Sequence, residues 1–407
     1  MKRLLSALPA FPLVFLLFAP ASVGPIGVKI SDNAKYSDLK VICETYVPIF
    51  YYKLIQDDPE TCVNGILNRG VSEYLDKHTR RLGPVDTTEE QDDVNDVGFG
   101  GIGVELTADK SGAIKVSGLV DGGTAESAGL RIDDLVVEVE KDGKFVPVDA
   151  KTNGNFKKAV NLIRGPVGDK VTIAITRNGA RKELTVTRAK IVPKQVKYRP
   201  DLLPGKIGYV TINSFGSASV AKQTEAAIDA VLAKGARALI LNVRNNPGGL
   251  LDEVEAIISL FEKDENAILV SIADYRKGAP TYKDHKVEHF GAKNYGKYAG
   301  IPVAVLINGN SASASEIFAA FLKYKGAVVV GTKTFCKGTV QTVFPLSSGG
   351  SIHLTTNEYF VGNPRIKVND VCVTPDHEVK NAEDWNPRDE AGDLQLQKAV
   401  ELLNKKP

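Results

Sequence analysis

Residues Asn310–Gln341 read NSASASEIFAAFLKYKGAVVVGTKTFCKGTVQ and decide how this chain can fold and react. A run of small hydroxyl residues, Ser311 to Ser315, opens a helix-like segment. An apolar strand follows it, and Lys337 then lies in a tight turn. A serine hydroxyl is a poor nucleophile until a neighbouring base takes its proton. Lysine can be that base only if burial keeps its amine neutral, since its unperturbed pKa is about 10.4.

Two motifs in this stretch resemble those of the C-terminal processing peptidases, also called tail-specific proteases. Ser311–Glu316 resembles their nucleophile motif, Ser-Ala-Ser-Ala-Ser-Glu, and Thr334–Gln341 resembles their base motif, Thr-Phe-Gly-Lys-Gly-x-x-Gln. The resemblance implies that Ser313 is the nucleophile, Lys337 the base and Gln341 the residue that orients the lysine. It also implies a peptidase without metal or cofactor that acts on proteins or peptides with free C-termini.

The cysteines depart from the family pattern. The glycine that precedes the base in the family is Cys336 here, and the glycine of the family's Gly-Val/Ile-x-Pro-Asp ending is Cys372. Two glycines exchanged for two cysteines suggest a disulfide beside the active site, with two unpaired small residues as the alternative. The remaining cysteines, Cys43 and Cys62, could staple two N-terminal helices. The sequence contains no Cys-x-x-Cys pair, so it gives no sign of a zinc site or of a thioredoxin-type redox site.

The composition and the N-terminus bound the class of protein. With 407 residues, two or three domains are expected. A net charge of +2 gives no electrostatic case for nucleic acid binding. Basic Lys2 and Arg3, an apolar run to Phe18 and a small-residue site at Ala21 are typical of a signal peptide spanning residues 1–21. We therefore expect export, to the periplasm of a bacterial cell, with an uncleaved membrane anchor as the alternative.

Glycines near residue 100 indicate a peptide-binding module. Gly98–Val104 resembles the carboxylate-binding loop of a PDZ domain, in which glycines let successive backbone N–H groups converge on a peptide carboxylate. Residues 97–190 are predicted to form this domain. The resemblance implies a set of peptide-binding residues: Gly101, Ile102, Gly103, Val104 and Arg164. In some family members an arginine at the last of these positions couples the PDZ domain to the protease, and a solvated helix-end cation is the alternative.

The overall pattern predicts a multidomain chain of α/β and α+β class. A helical N-terminal region (30–95) and the PDZ domain precede an α/β catalytic domain (195–380), whose alternating strands and helices resemble crotonase-like folds. A helical tail follows (381–407). Asn245–Leu250 joins a strand to a helix, so an oxyanion hole is expected from the N–H of Gly248 or Gly249 and that of Ala314.

These patterns together predict an exported serine endopeptidase that cleaves substrates near their C-termini through an acyl-enzyme. The alternative is a catalytically inactive or redox-gated PDZ-bearing adaptor, since Cys336 adjoins Lys337. An acyl-CoA enzyme is disfavoured because an exported chain would lack that cofactor. A Ser-His-Asp triad is disfavoured because no Gly-x-Ser-x-Gly elbow occurs. Assembly into a homo-oligomer stays open.

Overall fold

The computed structural model describes residues 76–405 except 97, 109–110, 121–122, 155, 275–281, 286–294, 347–349, 364, 383–384 and 386–389. Two compact units result: a main unit, made of the described residues up to Val94 and from Gln195 onward, and an inserted unit, Asn95–Lys194. The predicted signal peptide, Cys43 and Cys62 lie outside the described residues. Within those described ranges, no helix has the length and apolar character that a membrane span requires.

The described chain enters the main unit through a short strand and a helix, β1 (Arg80–Leu82) and α1 (Pro84–Val94). Helix α1 begins at Pro84, whose fixed φ suits the first turn of a helix. The predicted helical region (30–95) lies outside the described residues up to residue 75; its described part contains α1 but also β1, which pairs antiparallel with residues 351–353. Backbone pairing with another strand here overrides the local helical spacing.

The inserted unit is largely antiparallel β-structure with one short helix. Its elements are β2 (Phe99–Gly101), β3 (Val104–Ala108), β4 (Ile114–Leu119), β5 (Leu135–Lys141), β6 (Lys144–Pro147), α2 (Phe156–Asn161), β7 (Lys170–Arg177), β8 (Ala180–Thr187) and β9 (Ala189–Ile191). Strands β3-β4-β5-β7-β8 form one sheet with β6 paired to β5, and β2 pairs with β9. Apolar side chains of this sheet and of α2 bury one another in a core of their own.

From Gln195 onward, strands alternate with helices. The elements are β10 (Val196–Tyr198), β11 (Ile207–Ile212), α3 (Val220–Ala233), β12 (Ala238–Asn242), α4 (Leu251–Ser259), β13 (Val270–Asp274), β14 (Tyr282–His285), β15 (Val303–Ile307), α5 (Ala314–Tyr324), β16 (Val328–Gly331), β17 (Thr339–Pro345), β18 (Ser351–Val361), β19 (Ile366–Lys367), β20 (His377–Glu378) and α6 (Leu394–Lys405). Mixed α/β structure is therefore observed, as predicted.

A six-stranded sheet, ordered β10-β11-β12-β15-β16-β20, organises the main unit. Every neighbouring pair in it is parallel except β10 with β11. All residues of β12 and β15 are buried, because helices α3, α4 and α5 cover one face and α6 covers the other. Strand β13 lies instead in a second sheet, paired with β14 and β18.

A buried ion pair fixes the start of α6 to the end of β12. The guanidinium of Arg244 donates to both carboxylate oxygens of Asp393, at 2.9 and 2.8 Å. The same carboxylate accepts from the backbone N–H of Leu396 in the first turn of α6. Burial opposes ionisation of Asp393, but the hydrogen bond and charge of Arg244 outweigh it and hold its pKa below the usual range.

Breaking this pair is expected to destabilise the main unit. The change Arg244→Ala leaves the Asp393 carboxylate buried without its counter-charge, at a cost of about 3–5 kcal/mol in the free energy of unfolding. Asp393→Asn should remove the part of the stability that wild type loses on acidification below about pH 4. The control is Glu401→Gln, an exposed partner of Lys398 and Lys405 on α6, which should leave the stability close to that of wild type. Urea denaturation at several pH values measures all three variants, and equal effects would contradict the role of the pair.

Candidate active site

Three loops meet at the carboxyl edge of the parallel sheet, where α/β proteins usually place their sites. They follow β12 (243–250), β15 (308–313) and β16 (332–338). The first two are joined by reciprocal side-chain bonds: Asn245 N–H donates to Asn308 Oδ1 at 2.9 Å, and Asn308 Nδ2 to Asn245 Oδ1 at 2.8 Å. The third joins the second through Phe335 N–H, which donates to the Ser311 carbonyl at 3.0 Å.

Ser313 occupies a left-handed turn directly before α5, with φ 56° and ψ −118°. Such a conformation is uncommon for a residue with a side chain and persists only where its surroundings hold it. The flanking serines have structural partners: Ser311 Oγ donates to the Val243 carbonyl and Ser315 Oγ to the Asn246 carbonyl, both at 2.8 Å. Those two buried hydroxyls serve to join the loops, so Ser313 remains the candidate nucleophile.

The buried carboxylate of Glu316 connects the serine turn to the lysine loop. Its Oε2 accepts from the backbone N–H groups of Ser313 and Lys337, at 2.9 and 2.8 Å. Its Oε1 accepts from Thr334 Oγ1 at 2.6 Å and from Cys336 N–H at 2.8 Å. Burial raises the pKa of this carboxyl above its ordinary value, and the four hydrogen bonds offset that rise only in part. Three of the four partners are backbone N–H groups, which can only donate, so the carboxylate form suits this site best.

Tyr359 of β18 holds the same two residues from their carbonyl side. Its hydroxyl lies 3.1 Å from the Ser313 carbonyl oxygen and 2.6 Å from that of Lys337. Its side chain is fully buried, and this burial, followed by the charge of Glu316, raises the phenol pKa well above its ordinary value. The hydroxyl therefore stays protonated and able to donate. Ser313 and Lys337 are thus each fixed at N–H and at C=O by two shared side chains.

The environment of Lys337 favours a neutral amine. Burial lowers the pKa of Lys337 to about 8, and the Arg80 guanidinium lowers it too, while Glu316 and Asp76 act in the opposite direction. Burial, followed by the charges of Arg80 and Lys337, lowers the pKa of His353 to about 4. This histidine is therefore neutral at physiological pH, and its Nε2 lies 3.3 Å from Glu90 Oε2.

Gln341 belongs to a hydrogen-bonded chain that leads away from the lysine. Its Nε2 donates to the hydroxyls of Thr339 and Thr355, at 3.0 and 3.1 Å, and Thr355 Oγ1 donates to Asp76 Oδ1 at 3.0 Å. In the part of the chain that the structure describes, no hydrogen bond joins Gln341 to Lys337. With Nε2 engaged by two threonines, Oε1 is the amide atom that could accept from the lysine. The predicted orienting role stays a prediction.

The glycine turn lies directly against the serine turn. A Cβ at Gly248 would fall 2.8 Å from Ser313 Cβ and 2.9 Å from Ala314 N, so only glycine fits there. The N–H of Gly248 donates to Asn246 Oδ1 at 2.9 Å. Neither the N–H of Gly249 nor that of Ala314 donates to another described group. Of the two predicted pairs of oxyanion-hole donors, the geometry therefore favours Gly249 with Ala314, because the N–H of Gly248 already has an acceptor.

The inserted unit contains a groove of about 180 Å³ between β3 and α2. All five predicted peptide-binding residues line it, together with apolar side chains that include Leu106, Phe156, Val160 and Ile163. The Arg164 guanidinium lies 3.9 Å over the Phe99 ring, and its buried Nε has no hydrogen-bond partner among the described residues. The groove thus combines an apolar floor, a glycine-rich backbone and one cation.

Sequence reasoning missed three contributors to the site. Glu316 ends the serine motif, and a glutamate three residues after the serine that caps a helix is the signal of a capping box. The segment Tyr74–Thr79 resembles the family's Leu-Asp-Pro-His-Ser/Thr only weakly, since Lys77 replaces the proline, yet Asp76 Oδ1 accepts a hydrogen bond from Thr355 in β18. Tyr359 lies in a long strand that carries no local signal of a role.

Comparison with known proteins assigns the family. Residues 206–379 match the model of peptidase family S41. The carboxy-terminal-processing protease of Bartonella bacilliformis is 33% identical over 333 residues, which are 80% of this chain and 71% of that protein. A protein of Staphylococcus saprophyticus named "Probable CtpA-like serine protease" is 30% identical over 81% of this chain and 62% of its own length.

One solved structure supports the fold alone. An S41 protease from Bacteroides fragilis aligns with a TM-score of 0.56 at 16% identity, covering 86% of this chain and 92% of that one. The family predicted from the two motifs is confirmed by the sequence matches. The chain belongs to peptidase family S41 and is a serine-type peptidase related to the carboxy-terminal-processing proteases.

Proposed function

We propose that this peptidase cleaves protein substrates near their C-termini with Ser313 as nucleophile and Lys337 as general base. The observation that carries the proposal is the shared attachment of both residues to Glu316 and Tyr359. Two loops distant in sequence are held there by the same carboxylate oxygen and the same hydroxyl. A nucleophile and a base act together only when the fold fixes both backbones in this way.

The chemistry would proceed through an acyl-enzyme. The neutral amine of Lys337 takes the proton from the Ser313 hydroxyl, and Oγ attacks the scissile carbonyl carbon. The N–H groups of Ala314 and Gly249 stabilise the oxyanion, aided by the N-terminal end of the α5 dipole. The Lys337 ammonium then protonates the leaving amine. A water molecule, deprotonated by the same lysine, resolves the ester and restores the enzyme.

The inserted unit is, in this proposal, a PDZ domain that selects the substrate. Its β3 edge would add an extended peptide as a further strand, and the N–H groups of Gly101–Gly103 would receive the terminal carboxylate. The apolar lining of the groove favours an apolar last side chain. We also propose, from residues 1–21 of the sequence, that the enzyme is exported, which would place it among extracytoplasmic protein substrates.

The first prediction separates the three serines. Ser313→Ala should lower kcat by roughly 10⁴-fold or more, because the attacking atom is lost. Ser315→Ala should keep most of kcat but lower the free energy of unfolding by about 1–3 kcal/mol, since the Asn246 carbonyl loses a buried donor. Hydrolysis of a labelled peptide and urea denaturation measure the two effects. Comparable kcat losses in both variants would contradict the assignment of the nucleophile.

The second prediction concerns pH. Because the neutral amine is the reactive form, kcat/KM should rise about tenfold per pH unit up to the Lys337 pKa of about 8 and level off above it. Arg80→Met removes a cation that lowers this pKa, so the profile should move to higher pH. The shift should be less than about one pH unit, because Arg80 is largely exposed and solvent screens it. Lys333→Met, an exposed lysine of the same loop, should leave the profile in place.

The third prediction tests the groove. In a Ser313→Ala background, which prevents cleavage, calorimetry should detect a peptide with an apolar last residue and a free carboxylate. Amidation of that carboxylate, or Val160→Asp in the groove, should weaken binding about tenfold or more, because the first removes a charged acceptor and the second places a like charge nearby. Val167→Asp is the control, an exposed apolar position outside the groove lining. Equal binding of the free and amidated peptides would refute carboxylate recognition.

A further inference from the structure

A disulfide joins the lysine loop to the turn that precedes β20. Cys336, the residue before Lys337, is bonded to Cys372. Hydrogen bonds connect the same two segments: Val373 N–H donates to Thr334 Oγ1 at 2.8 Å, and Asp370 N–H donates to the Cys336 carbonyl at 3.2 Å. The bond is therefore part of the surface against which the lysine loop is docked.

Both cysteines have left-handed backbone conformations, with φ 77° at Cys336 and φ 71° at Cys372. Glycine adopts such angles freely, whereas a residue with a Cβ adopts them only under constraint. The related peptidases whose motifs this chain resembles have glycine at both places. With glycine at these two positions no constraint would be needed. In this chain the covalent bond between the two cysteine side chains can supply the constraint that cysteine requires.

The backbone conformation of Cys336 determines whether the adjacent N–H of Lys337 can reach Glu316. Cys336 N–H donates to Glu316 Oε1, and the next N–H, that of Lys337, donates to Glu316 Oε2. A change of φ at Cys336 rotates these neighbouring peptide units relative to each other, so both bonds cannot survive it unchanged. The disulfide-bonded form is thus the docked one, in contrast to the adaptor alternative, in which the bond would hold Lys337 out of place.

We propose that the Cys336–Cys372 bond is a reversible redox clamp that keeps the base of this peptidase docked on Glu316, and that reduction by a dithiol lowers its activity. The consequence for activity rests on the proposed roles of Ser313 and Lys337. The consequence for the loop does not, because it follows from the bonded pair, the two φ angles and the hydrogen bonds to Glu316.

The exchange reaction balances with a dithiol as reductant. Cys336 is half-buried and Cys372 buried, so the attacking thiolate reaches the sulfur of Cys336 first. The disulfide breaks, Cys372 leaves as a thiolate and takes up a proton, and a mixed disulfide remains on Cys336. The second thiolate of the dithiol then displaces Cys336 as a thiol. The protein gains two electrons and two protons, and the dithiol leaves as its own disulfide.

The experiment compares the full chain before and after dithiothreitol, with mass spectrometry to count thiols and a fluorogenic peptide to measure kcat/KM. Reduction should lower kcat/KM on the order of tenfold, the factor that corresponds to releasing one residue from the left-handed region. Cys336→Gly with Cys372→Gly should match oxidised wild type with and without dithiol, because glycine needs no constraint. Cys336→Ser with Cys372→Ser should match reduced wild type under both conditions.

Hydrogen exchange of the segment containing Cys336–Gly338 gives a readout that does not need catalysis. Its amides should exchange faster in the reduced wild type and in the double serine variant than in the oxidised wild type and the double glycine variant. Free thiols in the unreduced protein, or unchanged exchange and kcat/KM after verified reduction, would overturn the proposal. Faster exchange on reduction in a protein without peptidase activity would support the clamp while refuting the proposed function.

Discussion

The ionised carboxylate of Glu316 is the constraint on which the site depends. An unpaired carboxylate in a protein interior is strongly unfavourable, so the surrounding chain has to supply donors to it. Four donors do so, and they come from the serine turn and from the lysine loop. Moving either segment would leave a buried charge partly unsatisfied. The energetic penalty for burying one acid thus keeps the proposed nucleophile and the proposed base in fixed positions relative to each other.

Strain and its compensation are concentrated around this carboxylate. Ser313 and Cys336 have positive φ, which is unfavourable for residues with a side chain. Each donates its N–H to Glu316, so the carboxylate that needs donors also stabilises these two strained residues. Tyr359 completes the arrangement from the carbonyl side. An N–H and a C=O fixed on opposite sides of one residue leave its φ and ψ little freedom. Strained residues at a site of this kind are held by over-determination rather than by any single strong bond.

The sequence predicts the parts of this structure that depend on local pattern. Strands such as Val303–Ile307 are apolar throughout because both their faces are covered. The run of small hydroxyl residues around Ser313 likewise predicts the start of a helix. What it cannot show is which distant segment meets which. Asp76 reaches Thr355 and Tyr359 reaches Ser313 only through the pairing of β1, β17 and β18, and no spacing along the chain encodes that register. Short strands such as Arg80–Leu82 are determined by their partner and not by their own residues.

A carboxylate beside a lysine would ordinarily stabilise the ammonium, raise the lysine pKa and so reduce the neutral fraction that can act as a base. Glu316 does act in that direction on Lys337, yet burial and the charge of Arg80 prevail and the pKa falls to about 8. The geometry explains why the acid is tolerated: both oxygens of Glu316 are already occupied by backbone N–H groups and the Thr334 hydroxyl, so its charge is directed at the main chain. The lysine is held by its backbone, through a group that binds that backbone and not its amine. Backbone position and amine protonation are thereby governed by different atoms, which would let the site hold the proposed base firmly without a bond from Glu316 to its amine.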